Sequence, residues 1–313
     1  MRDSTKTSPR ILCAGGAVQD SIMRVDVFPE AGAKVQASDY VTTTGGQSGN
    51  AAVAIARLGA AVSYAGPLGG EQDDVATYVV NALKREGIDC THVVRAPDGK
   101  SSVSLIMIDA AGEKMIATRR GKSLSGVAPC DAEAAVAAVD AVLLDNRYPD
   151  FALPIALAAQ ARGIPRVLDY DYGAPADDPL LLASTHVIAS TEAIRQSSGS
   201  NDISAGLQAL AKHYKGFLAV TNGPEGVTWL DEGRVRQMDA FKVEAIDTLG
   251  AGDTFHGAFT FRLVETGDVI ESMHFAAAAA AIKCTRFGGL MGAATRSEVE
   301  AFLKERGRSV PSP

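Results

Sequence analysis

Hydrophobic positions along this chain fall into two patterns that take turns. Residues 11–18 (ILCAGGAV) are apolar without a break, which suits a central strand covered on both faces. Shorter apolar runs recur at 62–65, 141–144, 167–169, 187–189 and 217–221. Between them lie stretches with helical spacing, at 51–58, 73–86, 151–162 and 205–214. The first three of these are followed by Gly59, Gly87 and Gly163, and glycine just past the last periodic residue is a helix stop. Two further helices are expected after Asp253, and a last one over 297–305. Strands alternating with helices predict a parallel sheet with helices on both faces.

Two segments depart from this rhythm. Pieces at 35–38 and 39–42 alternate polar and apolar residues, and so does 102–108. The turn Asp109-Ala110-Ala111-Gly112 then leads to a returning strand at 114–118, a hairpin. Period-two alternation marks half-exposed strands, so these segments predict a second, smaller sheet. A late hairpin is expected at 227–230 and 235–238 around Asp231-Glu232-Gly233. The predicted organisation is a body formed by 10–20, 45–100 and 122–306, a β lid formed by the insertions 21–44 and 101–121, and flexible ends at 1–9 and 307–313. There is no internal repeat and no low-complexity linker.

Composition narrows the function classes. The 313 residues, 46% hydrophobic and 21% charged, are ordinary for a soluble globular protein with a substantial core. A net charge of -7 disfavours nucleic acid as the main partner, because a phosphate backbone requires a basic face. Cys13, Cys90, Cys130 and Cys284 lack metal-ligand spacing and are expected as free thiols in a reducing cytoplasm. The N-terminal residues do not make a secretion signal, and no run reaches the roughly 18 apolar residues of a membrane helix.

The chemistry concentrates at Asp247-Thr248-Leu249-Gly250-Ala251-Gly252-Asp253, which precedes an apolar helical stretch. Small residues at a helix start can aim several backbone amides at one point, where the helix dipole is positive, and such a point suits a phosphate. The amides of Gly250, Ala251 and Gly252 are the expected donors. Asp253 beside them can take a proton from an attacking hydroxyl; taken alone, it could equally cap the helix. Gly45-Gly46 and Asn50 offer close backbone approach and an amide side chain for hydroxyl groups; taken alone they read as a turn. Asp20, two residues beyond the apolar run, can hold two adjacent hydroxyls at the carboxyl end of a strand. Arg147 also follows a strand and can grip an anion in bidentate fashion. Lys34, Arg119 and Arg120 on the lid could add to a basic pocket for an acidic sugar, although solvated surface charge is the simpler reading for Arg120 and Lys122. His256, in an apolar helix, is read as packed rather than catalytic.

The string D-T-x-G-A-G-D resembles the C-terminal signature of the ribokinase-like (PfkB) carbohydrate kinases, and the resemblance extends over nearly the whole chain. It implies a ribokinase-like α/β three-layer sandwich with a mainly parallel central sheet and a small inserted β-sheet lid. It also implies ATP-dependent phosphorylation of a primary hydroxyl of a ketose, sugar acid or related carbohydrate, with Asp253 as base and residues 250–252 as anion hole. Asp20, Gly45, Gly46, Asn50, Arg147 and Lys34 would hold the sugar. Thr221, Gly223 and Gly226 in a T-x-G-x-x-G loop, with Thr248 and Ala280, would hold ATP. Mg²⁺ is expected, as is a monovalent cation such as K⁺ near Asp247 and Gly288. A homodimer through the lid is a further implication. The family's N-x-x-E string is absent: Ser190-Thr191-Glu192-Ala193 stands there, leaving Glu192 and Asp169 as weak metal candidates and Asp171 as a water-mediated partner. Asp145-Asn146-Arg147, Lys34 and residues 283–289 resemble the sulfofructose kinase and ketohexokinase branches, but Thr118 stands where the former has Asn. The alternatives are a nucleoside kinase on the same scaffold, for which this lid has few aromatics (Phe28, Tyr40), and a non-catalytic sugar-binding protein, against which an intact Asp253 argues. A Rossmann-type NAD enzyme would need G-x-G-x-x-G after the first strand, and Gly15-Gly16-Ala17-Val18-Gln19-Asp20 is not that.

Overall fold

The apolar runs become the strands of one large sheet. In the computed structural model, which describes residues 8–307, the strands are β1 (Arg10–Ala14), β2 (Val18–Arg24), β3 (Asp39–Gly45), β4 (Ala61–Gly69), β5 (Asp89–Ala96), β6 (Ser102–Ile108), β7 (Lys114–Arg119), β8 (Ala141–Asp145), β9 (Arg166–Tyr170), β10 (His186–Ser190), β11 (Phe217–Thr221), β12 (Val227–Asp231) and β13 (Arg234–Met238). The helices are α1 (Gln47–Arg57), α2 (Asp74–Arg85), α3 (Ala132–Val136), α4 (Pro149–Ala161), α5 (Pro179–Ala183), α6 (Thr191–Ser198), α7 (Ile203–Leu210), α8 (Ala251–Thr266), α9 (Val269–Cys284) and α10 (Arg296–Glu305). Of the expected flexible ends, residues 1–7 and 308–313 lie outside the described residues.

Nine strands form the main sheet in the order β13-β12-β11-β10-β9-β8-β1-β4-β5. Pairing is parallel from β11 to β5, and the late hairpin β12–β13 adds an antiparallel edge. In β1 the side chains alternate between the two faces: Ile11 and Cys13 enter one apolar core, Leu12 and Ala14 the other. The first core is closed by α1, α2, α8, α9 and α10, the second by α3, α4, α5, α6 and α7. A second sheet, β3-β2-β6-β7, pairs β2 with β6 in parallel and its other neighbours antiparallel.

Several expectations need correction. The run 11–18 is two strands in two sheets. Asp145 packs so closely against Gly15 that a Cβ there would lie 2.2 Å from its Oδ2, and the chain turns at Gly15-Gly16 before β2 starts at Val18. Both halves are buried, so hydrophobicity alone could not show the break. Residues 35–38 are not a strand, and β3 starts at Asp39. The expected helix 205–214 is α7, begun earlier by the Asp202 side chain accepting from Ala205 N (2.7 Å) and ending at Leu210. The edge strand β5 and the short helices α3, α5 and α6 were not expected. The three helices start at Asp131, Asp178 and Ser190, side-chain caps that stand in for a long periodic pattern.

Candidate active site

A cavity of about 320 Å³ lies between the second sheet and the N-terminus of α8. Period-two alternation decides which lid residues reach it. Val18 and Asp20 of β2, Ser102, Ser104 and Ile106 of β6, and Lys114, Ile116 and Thr118 of β7 face inward, followed by Arg120. Register brings them side by side, Asp20 against Ser104, Ser104 against Thr118 and Ile106 against Ile116. From the body come Gly16, Gly46, Gln47, Asn50, Arg147, Tyr148, Asp171, Tyr172 and residues 248–253.

Helix α8 begins where its sequence requires. Gly250 takes φ +75° as N-cap, a left-handed conformation that glycine adopts without strain. The amides of Gly250, Gly252 and Asp253 meet no protein acceptor among the described residues. Ala251, expected as a donor, instead gives its N–H to Thr248 O at 3.3 Å because the turn closes there. The amides left to meet an anion are thus those of residues 250, 252 and 253. Thr248, expected to contact ATP, borders the same cavity.

Asp253 is held from the side. Asn50 Nδ2 donates to its Oδ2 at 2.6 Å, so Asn50 fixes the carboxylate as well as bordering the cavity. Burial, with help from the negative charge of Asp169, pushes the Asp253 pKa up to about 7 against the Asn50 hydrogen bond. Below it Asp169 is buried, its Oδ2 3.2 Å from His256 Nδ1, close enough for ionic attraction but not aligned as a hydrogen bond. Burial disfavours a charged His256, yet Asp169 and Asp253 outweigh it and its pKa rises. The packed reading of His256 therefore leaves out that it stabilises negative charge beneath Asp253.

Asp20 lies inside β2 rather than in a loop beyond the first strand, because the chain has already crossed sheets at Gly15-Gly16. Its carboxylate faces the cavity, and burial raises its pKa to about 6 against a hydrogen bond from Ser104. Gly45 leaves room for it: a Cβ at 45 would lie 1.9 Å from Asp20 Oδ2. Gly46, with φ +82°, lies so close to Gly16 that a Cβ there would meet Gly16 O at 2.7 Å.

The fully buried Asp145 organises this side. Its Oδ2 accepts from Gly16 N (2.8 Å), Ser48 N (3.1 Å) and Ser48 Oγ (2.6 Å), and its Oδ1 from Arg147 N (2.9 Å). One carboxylate thereby joins the end of β1, the start of α1 and the loop after β8. Arg147 then reaches the cavity, its guanidinium 5.3 Å from the Tyr172 ring centre, and Arg120 covers the same ring at 5.4 Å. Neither Arg147, Arg120 nor Lys114 has an acidic partner within ion-pair distance among the described residues. Arg120, read from sequence as a solvated charge, is a lining residue. Lys114, Gln47 and Tyr172 were missed; the two-residue spacing 114, 116, 118 was the available signal for Lys114. Gln47 Nε2 is buried and has no partner among the described residues.

Other expected residues are not brought together here. Lys34 stands exposed in the loop between β2 and β3, away from the cavity lining, because that segment is not a strand. Glu192 is half-exposed at the start of α6, where it pairs with Arg195 and accepts from Gln196 Nε2 (2.6 Å), so its oxygens are already engaged. Thr221 ends β11 and donates to Ala189 O at 3.4 Å. Gly223 and Gly226 form the turn into β12, outside the cavity lining. Ala280 is half-buried on α9 against the first core. No cluster of three His, Cys, Asp or Glu residues suited to a metal occurs among the described residues. Mg²⁺ bound to phosphates needs only one or two protein carboxylates, often through water, and Asp171 at the cavity wall suits that role, whereas Asp169 is shielded by His256.

The family profile described as pfkB family carbohydrate kinase matches residues 8–295. The chain is 30% identical over 305 residues to a ribokinase of Haemophilus influenzae, covering 93% of this chain and 97% of that protein. It is 29% identical to an ATP-dependent ribose-1-phosphate kinase of Halopiger xanaduensis, covering 95% and 99%. Among solved structures, Arabidopsis thaliana ribokinase complexed with ribose and ATP superposes with a TM-score of 0.80 at 25% identity, over 95% of this chain and 99% of that one. No helix among the described residues is long and apolar enough to cross a membrane.

Replacing Asp145 with Ala leaves four donors without their acceptor inside the protein, and an unsatisfied buried donor costs about 1–3 kcal/mol. Asp145→Ala is expected to lower stability by about 3 kcal/mol or more, read as an earlier urea midpoint. An unchanged midpoint would show that Asp145 is not the joint of this site.

Proposed function

The chain belongs to the pfkB family of carbohydrate kinases and has the ribokinase-like α/β fold, and on that premise we propose that it transfers the γ-phosphoryl group of ATP to a primary hydroxyl of a sugar that carries an acidic group. The observation behind the transfer is the convergence of a carboxylate and partnerless helix-start amides on one cavity wall, opposite Asp20 and Gly46. The sugar lies between the second sheet and α8, with Asp20 accepting from two of its hydroxyls and Gln47 Nε2 donating to another polar group. Asp253 takes the proton of the attacking hydroxyl. Its raised pKa makes it a stronger base than an ordinary carboxylate at neutral pH. The amides of 250, 252 and 253 and the positive end of α8 stabilise charge on the transferring group. Mg²⁺, when bound to the phosphates, would neutralise their charge, and Asp171 at the cavity wall would hold it through water. The turn at Thr221, Gly223 and Gly226 and the small Ala280 are proposed to line the nucleotide.

The acidic group is inferred from Arg147, Arg120 and Lys114. Three cations line one cavity with no ion-pair partner among the described residues, and a phosphate, sulfonate or carboxylate on the sugar is the natural counter-charge. A relative named for ribose 1-phosphate supports an anionic acceptor within the family. Residence in the cytoplasm is part of the proposal, supported by four free cysteines. So is a homodimer through the outer face of the second sheet, where Met23, Leu105 and Met115 are exposed.

Asp253→Asn is expected to lower kcat by about 10³-fold, within the range for a lost general base, while sugar binding by calorimetry persists; near-normal turnover would refute the mechanism. With a base titrating at about 7, kcat/KM should rise with pH below neutrality, where the carboxylate is still gaining its charge, and level off above it. An ADP-release profile flat from acid to neutral pH would contradict that. Arg147→Ala should cost an anionic sugar roughly 10–100-fold in kcat/KM, as for a lost charge-assisted contact, and the matching neutral sugar much less. Equal losses would remove the acidic group from the proposal.

A further inference from the structure

The family resemblance implies a monovalent cation near Asp247 and Gly288, and the residues there do not fit one. Asp247 is fully buried. Its Oδ2 accepts from the amides of Gly288 (3.0 Å) and Gly289 (2.9 Å), and its Oδ1 from Leu249 N (2.7 Å). The Lys283 ammonium lies 3.1 Å from Oδ1, and the same Nζ donates to the Asp247 backbone carbonyl at 2.6 Å. Neither side chain is exposed. A second cation against this carboxylate would face an ammonium at close range in a dry interior, where like charges repel strongly.

Packing does not explain a lysine here. Burial lowers its pKa, with Asp247 working against the shift. A buried ion pair is in general no more stabilising than apolar side chains of similar volume. Position gives the better account. Asp247 is the residue from which the anion-site turn springs: Leu249 N is bound to its carboxylate, Gly250 caps α8, and the partnerless amides follow. The end of α9 grips the same stretch a second time, because Cys284 O accepts from Ile246 N (2.8 Å) and Asp247 N (3.1 Å). Lys283 and Cys284 together hold residues 246–249 in place.

We propose that Lys283 is a positioning residue that stands in for the monovalent cation: its tethered ammonium holds Asp247, and through it the anion-site turn, so that this enzyme needs no K⁺. The catalytic part rests on the kinase reading above; the occupancy part does not, because it can be read from thermal unfolding without turnover.

The test compares wild type, Lys283→Ala and Lys283→Met in potassium, sodium and tetramethylammonium salts at matched ionic strength. Wild type should show the same melting temperature and the same kcat in all three. Lys283→Ala vacates the ammonium's place; its kcat should fall roughly 10–100-fold, the usual loss when support behind a charged site is removed, with little change in sugar KM. Potassium should partly restore its kcat and raise its melting temperature, and tetramethylammonium should do neither. Lys283→Met, which keeps most of the volume, should stay impaired in every salt, a pattern that a purely packing role would not give. Potassium stimulation of wild type by severalfold would overturn the proposal, as would normal kcat in Lys283→Met. Should no sugar be phosphorylated by wild type, the kinase reading fails, while the salt dependence of melting in wild type and Lys283→Ala still decides whether the ammonium occupies the cation's place.

Discussion

Two buried carboxylates hold the cavity in shape, and both do so by accepting backbone amides. Asp145 gathers Gly16, Ser48 and Arg147 from three separate segments, and Asp247 gathers Leu249, Gly288 and Gly289. A carboxylate taken out of water is costly unless its oxygens are fully used, so each one compels its loops to come to it. The first shapes the wall formed by Gly16, Gln47 and Arg147, the second the turn that leads into α8. Asn50, on α1, bridges the two by holding Asp253 on α8. Glycine appears where a buried carboxylate leaves no space for a Cβ, at Gly15 against Asp145 and Gly45 against Asp20.

The cavity is electrically divided. Asp20, Asp171 and Asp253 border it, with Asp169 buried behind Asp253, and burial raises the pKa of all three bordering carboxylates. Lys114, Arg120 and Arg147 stand around Tyr172 and the lid with no ion-pair partner among the described residues. A shared acidic wall favours a base that keeps some affinity for its proton, since each carboxylate disfavours charge on the next. An unpaired basic wall favours an anion. A single small molecule with hydroxyls at one end and an acidic group at the other satisfies both walls.

Access to this cavity depends on the second sheet, whose inward residues are dictated by the pleat. The residues of β2, β6 and β7 that reach the cavity alternate along each strand, Val18 and Asp20, Ser102, Ser104 and Ile106, and Lys114, Ile116 and Thr118, and the residues between them face outward. A one-residue slip of any one of these strands would send its cavity residue, Asp20, Ser104 or Lys114, to the outer face. The pairing of β2 with both β3 and β6 is therefore as much a condition of the site as any residue in it.

The sequence by itself determined the layered α/β body, the hairpin nature of the inserted strands, and the turn before α8 with Asp253 beside it, because periodicity and glycine placement are local properties and a contiguous motif carries its own geometry. It determined less where distant segments meet. The break at Gly15-Gly16, the inclusion of Arg120 and Lys114, the exclusion of Lys34 and Glu192 from the cavity, and the seating of Lys283 against Asp247 each depend on residues far apart in the chain. Only tertiary structure decided these, because burial and charge pairing arise from what the fold brings alongside a residue and not from its neighbours in sequence.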